Sequence, residues 1–139
     1  MEIGIIVGSI REGRKGEAVG QWVAEQAQGR DATYELLDLK SFVTPEYNHG
    51  VPGALKNAVD SLGFEWVGKA VSLVGYGSVG GVRAIENWRT VLANFSAVVT
   101  RAELNLSIFT DWADNEFKPS ERRAEELGEL FMALEKAAS

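Results

Sequence analysis

The sequence of 139 residues contains no cysteine and a single histidine, His49. The lack of cysteine excludes disulfide bonds, thiol catalysis, cysteine-ligated zinc and iron–sulfur clusters. One histidine is too few for a multi-histidine metal site. We therefore expect no metal centre in this chain.

Long apolar runs are also absent. No run approaches the ~20 residues of a membrane span, and the N-terminus lacks the charged-then-apolar order of a signal peptide. The net charge of −6 disfavours non-specific nucleic-acid binding. The content of 45% apolar and 24% charged residues is ordinary for a globular protein. These features predict one soluble cytoplasmic domain over residues 1–139, without nucleic-acid or membrane partners.

Short apolar runs alternate with helical patterns along the chain. The first run, residues 2–8, is rich in β-branched residues and predicts a fully buried strand of a parallel sheet. Residues 105–118 have no clear period and are expected to be irregular. The alternation predicts a doubly wound α/β domain. The further strands are predicted over residues 33–39, 69–76 and 97–104, and the helices after residue 16, from residue 53, after residue 81 and after Pro119.

A glycine-rich loop, residues 9–16, joins the first strand to the first helix. Its backbone N–H groups, the Ser9 hydroxyl and the positive end of the helix suit a terminal phosphate. Arg11 and Arg14 add cations with a geometry matched to phosphate oxygens. The loop has neither the Walker A ending nor the GxGxxG spacing. The alternative is a surface loop with two solvated arginines.

The central stretch TPEYNHGVPGALKNAVD, residues 44–60, combines a rigid loop with a helix start. Pro45 and Pro52 fix φ and keep the first half out of a helix. Tyr47 can pack beside a flat ring, while Asn48 and free backbone N–H groups reach its polar edge. The alternative is a connector stiffened by proline.

A second glycine-rich turn, residues 77–81, follows the predicted strand that ends near Tyr76. It can form a backbone wall with little side-chain bulk, although Gly80 and Gly81 would equally allow close helix–strand packing. Ligands of doubly wound sheets bind beyond the carboxyl ends of the strands. We therefore expect the three loops to meet at one edge of the sheet.

Other conspicuous side chains have ordinary structural explanations. Trp22 and Trp88 are expected in the core or at a subunit interface. The charged face of the last helix, which includes Arg123, is interpreted as solvated. Lys56, Glu65 and Arg83 are expected to be surface or ion-pair residues.

The three blocks GSIREGRKG, PEYNHGVPGALKNAVD and YGSVGGVRA, in this order, resemble the NADPH-dependent FMN reductase family. The resemblance runs from the first strand to the last helix and implies a flavodoxin-like three-layer α/β/α sandwich with a parallel sheet. It also implies FMN bound without covalent attachment. The implied phosphate ligands are Ser9, Arg11, Arg14 and Gly16. The implied neighbours of the isoalloxazine are Pro45, Glu46, Tyr47 and Asn48 on one side, and Tyr76, Gly77, Ser78 and Gly81 on the other.

The resemblance implies an oxidoreductase that passes hydride from NADPH or NADH through FMN to a flavin, quinone, azo or similar small-molecule acceptor. Because FMN carries the chemistry, no catalytic side chain is required. The resemblance also implies a homodimer or homotetramer. One alternative is a flavodoxin-type electron carrier without NAD(P)H activity, which Arg11, Arg14 and the modest net charge argue against. The other is a degenerate relative without enzymatic activity.

The chain departs from the family between Leu39 and Pro45, where only residues 40–44 intervene. A parallel strand–helix–strand crossover needs about a dozen residues or more. The sandwich is therefore expected to be short of one internal βα segment here. Either an internal segment is missing from the sequence, or the chain is truly shortened and needs a four-stranded sheet, a swapped element or a partner strand.

We predict that Arg11→Ala weakens FMN binding by ~1.5–3 kcal/mol, because the phosphate loses a charged hydrogen bond. The FMN dissociation constant, measured by fluorescence quenching, checks this. An unchanged constant would remove Arg11 from the site.

Overall fold

A computed structural model of the chain describes residues 2–8, 15–37 and 44–139. The four predicted strands and the four predicted helices are present in these residues. The strands are β1 (Glu2–Ile6), β2 (Thr33–Leu37), β3 (Thr44–Pro45), β4 (Ala70–Gly77), β5 (Val98–Ser107), β6 (Trp112–Ala113) and β7 (Glu116–Phe117). The helices are α1 (Gly16–Gln26), α2 (Gly53–Asp60), α3 (Val82–Asn94) and α4 (Glu121–Ala138), with a 3-10 helix over Phe64–Trp66.

The strands of the main layer pair in parallel but form two sheets. β1 pairs with β2 along its whole length. β4 lies between β3 and β5 in the second sheet. Only Thr44 and Pro45 of β3 pair with β4, opposite Gly75 and Tyr76. The predicted parallel α/β sandwich is confirmed. The predicted shortage of one segment affects β3, of which only two residues pair with β4.

Helices cover the two faces of this layer unequally. One core cluster joins α1 and α4 to both sheets and includes Val7, Val19, Leu106 and Leu127. The other joins α2 and α3 to the second sheet alone, and it includes no residue of β1 or β2 among the described residues. The result is a three-layer sandwich whose second helical layer covers only the sheet of β3, β4 and β5.

The first strand shows this unequal cover directly. Ile3 and Ile5 are buried, whereas Glu2 and Gly4 are exposed. The prediction of a fully buried β1 is therefore wrong. A strand of a doubly wound sheet is buried on both faces only where helices cover both, and β1 is covered on one.

The last third of the chain is more regular than its sequence indicates. β5 continues to Ser107 because Leu104 and Leu106 are both buried and maintain the alternation of a strand. A short hairpin, β6 with β7, follows. Its turn residues Asp114 and Asn115 both have positive φ, 51° and 63°, as a tight hairpin turn requires. The prediction of an irregular stretch over residues 105–118 is therefore wrong for the end of β5 and for the hairpin.

The two tryptophans take the structural roles that were predicted for them. Trp88 is buried against α2 and β4, and its indole N–H donates to Thr44 Oγ1 at 2.9 Å. This bond links α3 to the short strand β3. Trp22 is half-buried and packs edge-on against Phe117, with ring centroids 5.5 Å apart.

An ion pair links the C-terminal helix to the region before β2. Arg30 Nε and Nη2 donate to the two carboxylate oxygens of Glu135, each at 2.7 Å. The Tyr34 hydroxyl donates to the same carboxylate at 2.7 Å. The hydrogen bonds from Arg30 lower the pKa of Glu135 to about 2, and burial raises the pKa of Tyr34 to about 12.

We predict that Glu135→Gln lowers the free energy of unfolding by ~1–2 kcal/mol at pH 7, because Arg30 loses its charged partner. The loss is limited because both side chains of the pair are partly exposed to water. The folded-state pKa lies below the ordinary value of 4.5. The stabilisation is therefore complete above pH 4.5 and is lost as the pH falls towards 2. Urea unfolding of both proteins across this range checks it, with Glu129→Gln on the exposed face of α4 as the control. A difference that stays constant down to pH 2 would contradict the assignment.

Candidate functional site

The carboxyl ends of β3 and β4 lie side by side. Pro45 is paired with Tyr76, and the N–H of Glu46 donates to the carbonyl of Tyr76 at 3.1 Å. A Cβ built on Gly77 would lie 3.4 Å from the Cβ of Glu46. The predicted meeting of the second and third loops at one edge of the sheet is confirmed.

The first predicted loop is described only at its ends. Ser9, Arg11 and Arg14 lie outside the described residues, so their phosphate-binding role stays a prediction. Gly16 is buried and is the first residue of α1. Val7 lies in the same core cluster as Tyr76, which brings the end of β1 towards the other two loops.

The loop after β3 closes into a tight turn. The N–H of Tyr47 donates to the carbonyl of Gly50 at 3.1 Å, and the N–H of Gly50 donates to the carbonyl of Tyr47 at 3.0 Å. Between them Asn48 and His49 have φ of 49° and 66°. Left-handed backbone at non-glycine residues costs free energy and is concentrated at functional sites. The turn leaves the side chains of Asn48 and His49 exposed and that of Tyr47 half-buried.

Glu46 attaches this loop to the start of α3. Its carboxylate accepts the backbone N–H of Arg83 at 3.1 Å and the Arg83 guanidinium at 2.8 Å. The side chain of Glu46 is 6% exposed, so little of it faces the solvent. A carboxylate near the positive end of a helix is stabilised by the helix dipole. The prediction of Arg83 as an ion-pair residue is confirmed, and Glu46 positions the loop.

The turn after β4 requires glycine at two positions. Gly80 and Gly81 have φ of 76° and 75°, which favours glycine. A Cβ on Gly81 would lie 2.7 Å from the backbone nitrogen of Tyr76, and one on Gly80 would lie 2.8 Å from the Cβ of Asn105. The glycines therefore allow α3 to approach the strands closely. They also leave Ser78 exposed at the tip of the turn.

Tyr76 does not present its ring at this edge. Its side chain is 6% exposed and lies in the core, with its ring centroid 6.0 Å from that of Trp112. Its carbonyl accepts the N–H of Glu46. Any contribution of Tyr76 to a ligand wall therefore comes from its backbone.

A buried carboxylate supports the glycine turn from behind, and sequence reasoning missed it. Asp111 accepts the N–H of Ser107 at 2.8 Å and the Arg123 guanidinium at 3.0 Å. The same loop reaches the turn, because the N–H of Ile108 donates to the carbonyl of Gly77 at 3.0 Å. Hydrogen bonding to Asp111 raises the pKa of Arg123. Arg123 is thus partly buried and paired, which corrects the interpretation of its helix face as wholly solvated.

Two further findings concern the described residues as a whole. Among them, no group of three or more histidine, aspartate or glutamate side chains is arranged to hold a metal ion. Nor does any helix in these ranges have the length and apolar character that crossing a bilayer requires.

Residues 1–43 and 41–111 match the sequence profile of the NADPH-dependent FMN reductase family. The chain belongs to this family. The two matched segments meet at residues 41–43, at the place where the sequence is too short for a crossover.

Curated relatives of this FMN reductase family member match it in part. An NAD(P)H-dependent FMN reductase of Saccharomyces cerevisiae is 38% identical over 76 residues, which cover 55% of this chain and 40% of the relative. A quinone reductase of Escherichia coli is 38% identical over 88 residues, covering 54% of this chain and 47% of the relative. The chain thus spans less than half the length of these relatives.

Solved structures agree on the fold of this family member. A flavoenzyme NAD(P)H:acceptor oxidoreductase from Paracoccus denitrificans superimposes with a TM-score of 0.76 at 19% identity, covering 99% of each chain. A flavodoxin variant from Pseudomonas aeruginosa superimposes with a TM-score of 0.67 at 18% identity, covering 97% of this chain and 99% of that one. The predicted flavodoxin-like fold is confirmed.

We predict that Gly81→Ala destabilises the fold by about 2–4 kcal/mol. Alanine is strained at the positive φ of this position, and its methyl group would clash with the backbone of Tyr76. The matched control is Gly128→Ala in α4, where no atom lies within 4 Å of the added Cβ. There, alanine should stabilise the helix by about 0.5–1 kcal/mol. Urea unfolding measures both, and equal effects at the two positions would refute the close approach at Gly81.

Proposed function

We propose that this chain is an NAD(P)H-dependent FMN oxidoreductase that reduces a small-molecule acceptor. The observation that carries the proposal is the pair of adjacent turns, residues 47–50 and 77–81, both with left-handed backbone. They lie at the carboxyl edge of the sheet, where doubly wound folds bind ligands. Membership of the FMN reductase family and the names of the matched relatives support the same function.

The residues at this edge fit a flat ring with polar edges. Tyr47 is half-buried at this edge, and Asn48 and Ser78 offer exposed polar side chains. Gly77 lies where a side chain would narrow the space between the two turns, because its Cβ would be 3.4 Å from the Cβ of Glu46. The turns would hold the ring of FMN, while Ser9, Arg11, Arg14 and the start of α1 at Gly16 would hold its phosphate.

When bound, FMN would supply the redox chemistry between the nicotinamide and the acceptor. The chain itself binds and orients the ring, and no side chain is proposed as an acid or base. Glu46, fixed to Arg83, holds the first turn in place. Asp111, fixed to Arg123, holds the loop that supports the second turn.

The acceptor proposed for this site is a planar, largely apolar molecule such as a quinone, a flavin or an azo compound. Apolar side chains lie exposed beside the glycine turn, namely Val79, Val82 and Phe109. Phe109 belongs to the loop whose Ser107 hydroxyl donates to the carbonyl of Ser78 at 3.3 Å. An apolar rim of this kind favours stacking with a flat substrate, and the quinone reductase of E. coli among the relatives supports a quinone.

We also propose a cytoplasmic homodimer or homotetramer. The segment after α2 carries three exposed apolar side chains, and Phe64 is 93% exposed. The other two are Leu62 and Val67. Exposed apolar patches on a folded protein commonly mark interaction surfaces, so this segment is the proposed subunit contact.

The alternative is a flavodoxin-type electron carrier without NAD(P)H activity. The structural likeness to a flavodoxin favours it at the level of the fold. A degenerate relative that binds no flavin is the third possibility, and the short interval before β3 favours that one. The three differ in how they respond to FMN and NADPH.

We predict that the purified chain retains FMN after excess flavin has been removed, and that anaerobic NADPH bleaches the bound-flavin absorbance. The visible absorption spectrum before and after NADPH is the measurement. Bound flavin that NADPH leaves oxidised would favour the carrier, and no retained flavin would favour the degenerate relative. Riboflavin is the matched control, because it lacks the phosphate and should be retained less.

A further inference from the structure

An elongated cavity of about 620 Å³ separates the two sheets. We call it the strand slot. One long wall is β1, Glu2–Ile6, and the other is residues 70–74 of β4. Helices α1 and α4 line one face through residues such as Val23 and Leu130, and helices α2 and α3 line the other through residues such as Val59 and Trp88. The slot therefore has two strand edges as its walls and apolar surface above and below.

Both strand edges that face the slot are open in the described part of the chain. There β1 pairs only with β2. β4 pairs with β5 on one side, but with β3 only at Gly75 and Tyr76, beyond the end of the slot. Open edges leave rows of backbone N–H and C=O groups that can pair with another strand.

The two edges also have the same direction. Val7, just beyond the end of β1, and Tyr76, near the end of β4, lie in one core cluster. All pairs in the two sheets are parallel, and in a doubly wound fold the strands of the layer share one direction, so the carboxyl ends of β1 and β4 are at the same edge of the molecule. A strand in the slot would form parallel ladders on both sides, and its natural continuation is β3, Thr44–Pro45.

The chain is too short to supply this strand itself. Only six residues, 38–43, separate β2 from β3. A parallel crossover needs about a dozen or more. The two segments that match the family profile meet inside this interval, and the matched relatives are more than twice as long as the parts they share with this chain.

We propose that the strand slot binds an extended apolar β-strand of a second polypeptide, parallel to β1 and β4, which joins the two sheets into one. Successive side chains of such a strand point alternately to the two apolar helical layers, so about five consecutive residues must be apolar. The amino-terminal end of the slot is lined by Glu2, Glu65 and Lys69. This excess of negative charge favours a basic residue immediately before the apolar run.

The first experiment uses the full chain and a fluorescein-labelled peptide of two lysines, five alternating valine and isoleucine residues, and a glycine–lysine end. We expect saturable binding with one peptide per chain by fluorescence anisotropy, and a thermal midpoint that rises with peptide concentration. The control peptide carries proline at the central position. This peptide keeps the apolar character, but proline has no N–H to donate to a neighbouring strand. We expect its affinity to be lower by about tenfold or more.

A second experiment tests direction and place. The chain has no cysteine, so Ala70→Cys at the start of β4 introduces a single thiol. In a redox buffer in which oxidised glutathione is the oxidant, a peptide with cysteine before the apolar run should form a disulfide with it faster than a peptide with cysteine after the run. Ala93→Cys, exposed on α3 outside the slot, is the matched control and should show no such preference.

Several outcomes would overturn the proposal. These are no saturable binding, equal binding of the proline peptide, and crosslinking without preference for the direction of the peptide. A fourth outcome is a dimer of this chain, detected by sedimentation, whose formation blocks peptide binding. That result would assign the slot to a second copy and would also overturn it.

Discussion

The candidate site depends on the pairing of a two-residue strand. Thr44 and Pro45 attach to β4, and this pairing places the loop that follows them beside the glycine turn. The Trp88 indole binds the Thr44 hydroxyl from the α3 side. The Glu46 carboxylate then ties the next residue to the start of α3. Because so few backbone hydrogen bonds hold β3, these two side-chain contacts supply much of its attachment.

The helices cover the two faces of the strand layer unequally, and this determines how the two sheets are connected. The α1 and α4 layer contacts both sheets and is the main connection between them. Arg30 and Glu135 strengthen this layer at the end of α4. The other layer supports only β3 to β5, and one face of β1 is left exposed. The exposed face and the open edge of β1 both result from the short interval before β3. An apolar strand edge without a neighbour is a favourable template for pairing with another strand.

The site is built from backbone more than from side chains. The described loops contribute two turns in left-handed conformation, two glycines that no other residue can replace without strain, and few exposed polar groups. Such a site can position a cofactor that brings its own reactivity. The buried carboxylates nearby, Asp111 and Glu46, are paired with Arg123 and Arg83 and serve to hold the loops.

Much of the fold could be predicted from the sequence, because the relevant signals are local. Short apolar runs predicted β1, β2 and β4, and glycine and proline predicted the turns after β3 and β4. The end of β5 was missed because Leu104 and Leu106 alternate within a stretch that also contains turn-forming residues. The direction of the Tyr76 ring could not be predicted either, since a strand residue faces whichever layer its register selects.

The sequence by itself determined the order of the four helices and of the strands between them, the glycine positions and the lack of chain for a crossover before β3. Chain length and local conformation set all three, whereas the β6–β7 hairpin was missed. Only the tertiary structure decided which side chains meet. Glu46 and Arg83 are 37 residues apart, and Thr44 and Trp88 are 44 apart. No local pattern connects such pairs, because they meet only after the helices have packed on the sheet. The open edges of β1 and β4 are likewise a property of the tertiary structure, since an edge is open only if no other strand pairs with it.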